Sequence, residues 1–475
     1  MESCGRAEIM RWGLALHLKD LWNLVFRVLA KLMGLPHILL KTFQIGRHVH
    51  KNTEMLKVGY VHLHAQMELE TALDTLPELS QDVLMSIFAT LEIPDLVRAG
   101  SVCSNWRSAY KSLSGLGQHK KQQTPCLLYT SESAGENVAC LYSLAEQRVY
   151  KLTLPAPPIR SRFLIGSSNG WLVTIDESCE IHLINLISGQ QVNLPSVITI
   201  EHVKPIYNAS GSISMYEYSW LCGSKVHHPP SILTPAELRE RLCYKAFVYF
   251  DEATGGYIVV LIHNPYHQLS FARVGDDKWT WLPPYTDYLN CMYEDGLLYA
   301  VTSWGEIHAF EFGHHIITVK IIMKIQETYE KDNSYIIQAP WGDLLHIHRL
   351  TDYIDYHPQA DPMKVTEKIE IYKVDIAGEK VVEVNCLHGH VLFLGHNQSL
   401  CLRAEAYPSL KANHAYFTDD NEYWIKACKS NRRDIGVFNL DNNNREELIS
   451  TQLWSNWPVP IWITPNLAKM KFTWN

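Results

Sequence analysis

Apolar positions change their period along this chain of 475 residues. From Trp12 to Met33 they recur at helical spacing, as Leu14, Leu18, Leu21, Val25, Val28 and Leu32. Asp20, Asn23, Arg27 and Lys31 form the opposite stripe. Charges interrupt the run within the roughly 20 residues that a bilayer crossing needs, so the pattern predicts an amphipathic helix and no membrane span. Such a helix packs on the rest of the chain or forms a poorly ordered extension. Contact with a membrane surface through residues 12–33, or organelle targeting, is the alternative. A signal peptide is not expected, because no small-residue cleavage site follows a clean apolar core.

A second helical pattern occupies residues 74–113. Pro77 stands where a helix can begin, and Glu78 and Asp82 suit a helix start. Leu84, Ile87, Phe88 and Leu91 then follow i, i+3, i+4, i+7 along one face. Pro94-Asp95 breaks the run and opens another helix, in which Leu96, Ala99, Cys103, Trp106 and Tyr110 recur at steps of three and four. Two or three short helices in about forty residues bury too little to make a good core alone, so the module is expected to dock on something.

Beyond a polar linker at residues 114–124 the period shortens. Strand-like runs alternate with Gly, Asn, Asp and Pro turns. Leu-Pro pairs close three of the runs, at Leu154-Pro155, Leu194-Pro195 and Leu282-Pro283, 40 and then 88 residues apart. A degenerate copy would fall near Arg239. Turns leading into apolar strands recur at Gly170, Gly256, Gly296, Gly342 and Gly389; the spacings are 86, 40, 46 and 47 residues. A period in the forties with several strands per repeat is the signature of a β-propeller. Residues 125–465 accommodate about seven blades, with six or eight open, and Ile206–Leu242 is irregular enough to put one blade in doubt. Within one repeat, 171–176, 180–186 and 191–195 read as strand, strand and short strand end.

Composition fits this picture and narrows the chemistry. The chain is 47% hydrophobic and 19% charged, with 14 Trp and 24 Tyr. The net charge is -8 and the pI about 6.3, which gives no nucleic-acid footprint. Residues 1–50 carry seven Lys/Arg and three acids, a net +4, so the remainder is -12. The eleven cysteines form no C-x-x-C and no zinc-finger spacing. They read as free, largely buried thiols in a reducing compartment, so cytoplasm, nucleus or both are expected.

Candidate chemistry is sparse. Gly166-Ser167-Ser168-Asn169-Gly170 fits the G-x-S-x-G of a nucleophile elbow, but the elbow needs a helix after its serine, and the residues that follow favour a strand. Ser168 is therefore expected in a turn and Trp171 in the core, and no catalytic residue is assigned. His346 and His348 share one strand face without an obvious third metal ligand. Asp419, Asp420 and Glu422, and residues 441–447, lack calcium-loop spacing and read as solvated acidic turns. No metal site and no cofactor are expected.

Two resemblances add to this reading. Leu76-Pro77-Glu78-Leu79, Val83-Leu84, Ile87-Phe88, Leu91, Val102-Cys103 and Trp106-Arg107 resemble the F-box pattern in order and spacing. That resemblance implies binding to the Skp-type adaptor of a cullin–RING ubiquitin ligase. Leu76, Pro77, Leu79, Leu84, Ile87, Phe88, Leu91, Val102, Cys103 and Trp106 would form the contact face or the core behind it. The segments "GSSNGWLVTID", "APWGDLLHIHR", "LGHNQSL", "AYFTDD", "DIGVFNL" and "SNWPVPIWITP" resemble the propeller of plant F-box proteins of the KIB type. This resemblance implies a propeller that recruits a target protein for ubiquitylation. The expected order is an extension (1–70), an F-box (74–113), a linker (114–124), a propeller (125–465) and a tail (466–475). The alternative is a propeller scaffold that does not act through ubiquitin.

Overall fold

The computed structural model describes residues 79–470, except 223–224, 227–228, 313–316, 325–332, 355–362 and 450–451. The amphipathic run at 12–33, Leu76 and Pro77 lie outside the described residues. The chain divides into two compact units, residues 1–123 and 124–475. Among the described residues no helix is long and apolar enough to cross a membrane.

The first unit contains helices α1 (Gln81–Phe88), α2 (Ile93–Ala99) and α3 (Ser104–Gly115). The spacing from Leu96 to Tyr110 suggests one helix, but the structure divides it at Ser101–Cys103. Pro94 occupies the first turn of α2, where its missing N–H costs nothing. Gly100 ends α2 against the Tyr110 ring of α3: a Cβ there would stand 2.7 Å from Tyr110 Cγ. The bend lets α3 fold back on α1, where Gln81 Nε2 donates to Ser112 Oγ at 2.9 Å.

The second unit is built of sheets whose strands each contribute alternate residues to two interfaces. Residues 163–168, 171–175, 181–185 and 191–193 form one four-stranded antiparallel meander. The same order recurs at 243–251, 256–263, 268–273 and 280–282, then at 288–294, 297–302, 307–312 and 317–323. A further copy runs through 334–338, 344–354, 363–375 and 380–383. The next sheet departs from the meander: 390–394 pairs with 400–403 on one side and, in parallel, with 414–417 on the other, followed by 436–439 and 444–446. The last is composite. Strand 461–463 from the chain's end pairs with 126–130, which continues into 138–143 and 148–153. Taking this composite sheet as the first, the others follow in sequence as second to sixth.

Shared cores join second to third, third to fourth, fourth to fifth, fifth to sixth and sixth to first. First and second meet where Ser167 Oγ donates to the Trp462 carbonyl, and the ring is closed. Seven sheets of three or more strands are described, as expected, but six of them close the ring. The seventh (203–207, 213–218 and 231–233) lies in the connection between second and third, within the stretch that the sequence marks as irregular. Near Arg239, where a degenerate Leu-Pro was expected, helix α4 (Pro235–Leu242) stands instead, closed by a capping box between Thr234 and Glu237. This insertion packs Val203, Tyr216, Tyr218, Leu238 and Leu242 onto the second and third sheets without separating them.

The repeated sequence marks have direct structural causes. Each Leu-Pro pair stands at the end of the outermost strand of its sheet, with its proline just beyond the ladder. Asn169-Gly170 and Asp295-Gly296 both place two successive residues at positive φ (50°/83° and 49°/80°), the tight hairpin geometry that such dipeptides favour. Gly166 has a different role. A Cβ on it would lie 1.8 Å from the Ala246 carbonyl oxygen, because the inner strands of the second and third sheets touch there. Gly166→Ala should therefore force those strands apart and cost about 3 kcal/mol. Urea denaturation should show the lowered midpoint; an unchanged midpoint would mean that the contact yields freely.

Candidate functional site

Two groups of side chains could carry function. The first is the helical module. Leu84 and Phe88 are fully buried, and Ile87 and Leu91 nearly so, which places them in the core of the module. Phe88 meets Trp106 edge to face, with centroids 5.3 Å apart. Leu79, Val102 and Trp106 keep part of their surface, and Cys103 is exposed. The sequence pattern merged these two roles, and burial separates them. Of the eight that are described, Leu79, Val102, Cys103 and Trp106 keep accessible surface, while Leu84, Ile87, Phe88 and Leu91 pack inside the helices.

The second group lies inside the ring. It comes from residues 418–434 of the sixth sheet, which leave strand 414–417, form helix α5 (Glu422–Ala427) and return to strand 436–439. Asp420 is fully buried. One of its carboxylate oxygens lies 2.6 Å from Lys245 Nζ of the third sheet, and the other 2.6 Å from Arg349 Nη2 of the fifth. Tyr335 donates to the same carboxylate at 2.9 Å, and the Tyr244 hydroxyl to the Asp420 carbonyl at 3.4 Å. Burial opposes the charge, but Lys245 and Arg349 hold the Asp420 carboxyl well below the ordinary range.

The network continues outward. Arg349 Nη1 lies 3.4 Å from Asp434, which accepts the Thr366 N–H at 2.7 Å and pairs with Arg445 at 3.2 Å. Asp419 is different. Burial pushes it up to about 6 against the pull of Arg349 and Arg433.

Above this core sits a second tie. His267 places Nδ1 2.6 Å from Asp287 and Nε2 2.6 Å from Glu422. Burial works against its charge, but the two carboxylates raise it to about 9. Glu422 is held down at about 2: burial is outweighed by Lys426 and His267. Lys426 also donates to the Cys243 carbonyl at 3.0 Å. Residues 418–434 thus fasten the third, fourth, fifth and sixth sheets together.

The reading of Asp419, Asp420 and Glu422 as a solvated turn is corrected here. Residues 441–447, by contrast, are largely exposed. The missed signal lay in the partners. Lys245 interrupts the apolar run Cys243–Phe250, and Arg349 ends the strand-like "LLHIH". A cation at a core position needs a buried acid, and the sequence offered no means of choosing which one.

The other candidates resolve plainly. Ser168 ends strand 163–168 and accepts the Val248 N–H at 3.2 Å; strand 171–175 follows directly where an elbow needs a helix. Trp171 is fully buried. His346 and His348 are buried and share Ser334, whose Oγ lies 2.7 Å from His346 Nε2 and 3.2 Å from His348 Nδ1. Among the described residues no three His, Cys, Asp or Glu side chains are placed to hold a metal.

A three-helix module followed by a closed ring of six sheets fits an F-box followed by a propeller. The chain belongs to the KIB1-4 β-propeller family: the family's model matches residues 141–439, and that of the F-box domain matches residues 76–114. Among similar proteins, F-box only protein 7 of Arabidopsis thaliana is 26% identical over 50% of this chain, a match that spans 57% of that protein's length. F-box protein SKIP23 of the same plant is 24% identical over 81% of this chain and 95% of its own length. F-box protein KIB4, also from Arabidopsis, is 26% identical over 78% and 89%.

Two predictions follow from the buried ties. Asp420→Ala leaves Lys245 and Arg349 buried without their shared counter-ion and should cost about 3–5 kcal/mol. Chemical denaturation measures this, and a loss below about 1 kcal/mol would show the ties to be marginal. His267, raised from 6.5 to about 9, contributes stability that is complete below pH 6.5 and lost as pH rises through 9. His267→Gln should flatten that alkaline limb in melting curves recorded from pH 6 to 10, while the wild type shows it.

Proposed function

We propose that this protein is the substrate-recognition subunit of an SCF-type (Skp–cullin–F-box) ubiquitin ligase. The helical module binds the Skp-type adaptor, and through it the cullin–RING scaffold. The propeller holds a target protein. The chain performs no bond chemistry in this reading. It supplies proximity, holding target lysines near a ubiquitin-charged enzyme. The cytoplasm, the nucleus or both are its proposed location.

The observation that supports this reading best is the order of parts: an F-box match at residues 76–114 ahead of a KIB1-4 propeller match at 141–439. The geometry is in keeping with it. The module presents Leu79, Val102, Cys103 and Trp106 from a small rigid core. The ring's central charges are shut away from solvent, where they can tie sheets but cannot meet a substrate.

Co-expression with a Skp-type adaptor tests the reading. Wild type should co-purify with it. Leu76→Ala/Pro77→Ala, and separately Val102→Asp on the accessible side, should lose it while the propeller stays folded. Equal recovery of all three would remove the assigned interface. No recovery of the wild type, with a folded ring, would favour a scaffold that works without ubiquitin.

A further inference from the structure

The ring has two unlike ends. The turns bearing Gly170, Gly255, Gly296 and Gly342 lie at one. The chain also enters there, since Cys126 pairs with Ile463, and Asn466 just beyond packs on Gly170. At the opposite end lie the turns 264–267 and 303–305, the connection 283–287, the inserted sheet at 203–233 and residues 418–434.

Three neighbouring loops at that end carry aromatic side chains, two of them in the open and the third, Tyr285, half-buried. Tyr266 is 44% exposed and Trp304 is 38% exposed. Tyr285 stacks on Trp281 at 4.1 Å and donates to Glu201 at 3.2 Å. The loops are stitched together. The Tyr288 N–H donates to the His267 carbonyl at 3.1 Å, and the Ser303 N–H to the Asp287 carbonyl at 3.0 Å. Carboxylates lie among the rings: Glu201 is exposed, and Asp287 and Glu306 are partly so.

The turn that bears Tyr266 is unusual. Tyr266 and His267 both have positive φ, 64° and 45°, in a hairpin turn where Asn-Gly would sit without strain. His267 repays its strain through Asp287 and Glu422. Tyr266 shares the strained backbone and stays 44% exposed, so the turn holds an aromatic ring at the surface.

We propose that this end of the ring, around Tyr266, Tyr285 and Trp304, docks a basic segment of a partner protein. Guanidinium or ammonium groups would lie over the aromatic faces and pair with Glu201, Asp287 and Glu306. The charge of the chain beyond residue 50, -12, favours a cationic partner. The inference names the partner chemistry for the target-holding role proposed above, and rests on the ring having a protein partner.

The test uses the full chain and a fluorescein-labelled Arg-Gly repeat peptide, with a Glu-Gly repeat of equal length as its counterpart, read by anisotropy at two salt concentrations. Wild type should bind the arginine peptide and not the acidic one. Trp304→Ala and Tyr266→Gly should each weaken binding about tenfold. Tyr266→Gly also relieves the turn, so its melting temperature should match or exceed that of wild type, which separates lost binding from lost fold. Glu370→Gln/Glu383→Gln, on the third and fourth strands of the fifth sheet, should bind as wild type does. Unchanged binding by both aromatic variants would overturn the proposal, as would equal binding of the acidic peptide. Light scattering that shows a wild-type dimer dissolved by the same substitutions would also overturn it, by making the occupant a second copy. Adaptor co-purification of these variants should remain intact, so failure here is distinguishable from failure of the ligase reading.

Discussion

Side chains from three sheets converge inside the ring on one buried carboxylate. Asp420 meets a lysine from the third sheet and an arginine and a tyrosine from the fifth, though it belongs to the sixth. Burying three charges together is costly, and apolar residues of similar volume would do as well or better for stability alone. What the charges add is direction. An apolar contact tolerates small slides, whereas a carboxylate shared between Nζ, Nη2 and a phenol at 2.6–2.9 Å fixes all of them at once. The sheets are thereby set relative to one another by a point inside the ring as well as by the cores between them.

Closure at the ring's seam is a separate device. The last strand, 461–463, pairs with 126–130, so the two ends of a long stretch of chain share one sheet. Residues 466–470 then run on to the second sheet. There Asn185 Nδ2 donates to the carbonyls of Asn466 and Ala468 at 3.1 and 3.2 Å, and Met470 enters the core shared by the second and third sheets. What the sequence marks as a tail therefore works as a strap across the seam. Opening the ring requires both the ladder and the strap to yield, and this favours a cooperative second unit.

The legible and illegible parts divide along physical lines. Turns were legible because Asn-Gly and Asp-Gly solve a local problem of φ, and the Leu-Pro stops because proline ends a ladder by itself. The period of the repeat followed from these. The F-box residues were legible as a pattern, but Leu84 and Val102 could not be told apart as core and surface until burial was known. The insertion at 203–242 was visible only as a loss of period. Asp420 was illegible because its neighbours in the chain, Asp419, Asn421 and Glu422, are those of a solvated turn, and its real neighbours lie 71 and 175 residues away. Long-range charge pairing leaves no periodic trace.

The two ends of the ring are built differently. At the entry end the turns at 169–170 and 295–296 are short, and each is set by two successive residues at positive φ. At the other end two long excursions accumulate, at 196–242 and 418–434, each leaving its strand ladder intact. Loops of that length are ordinarily mobile, and ordering them on binding would cost affinity. Here they are held in advance. Residues 418–434 are pinned by Asp420, Glu422 and Lys426, and by Asp434, which accepts the Thr366 N–H of the fifth sheet. Residues 203–242 are held by apolar packing against two sheets. A surface composed of such loops can vary in sequence without losing its shape, because its anchors lie below it in the ring. That separation lets the loops at this end keep a preorganised face on a framework determined elsewhere.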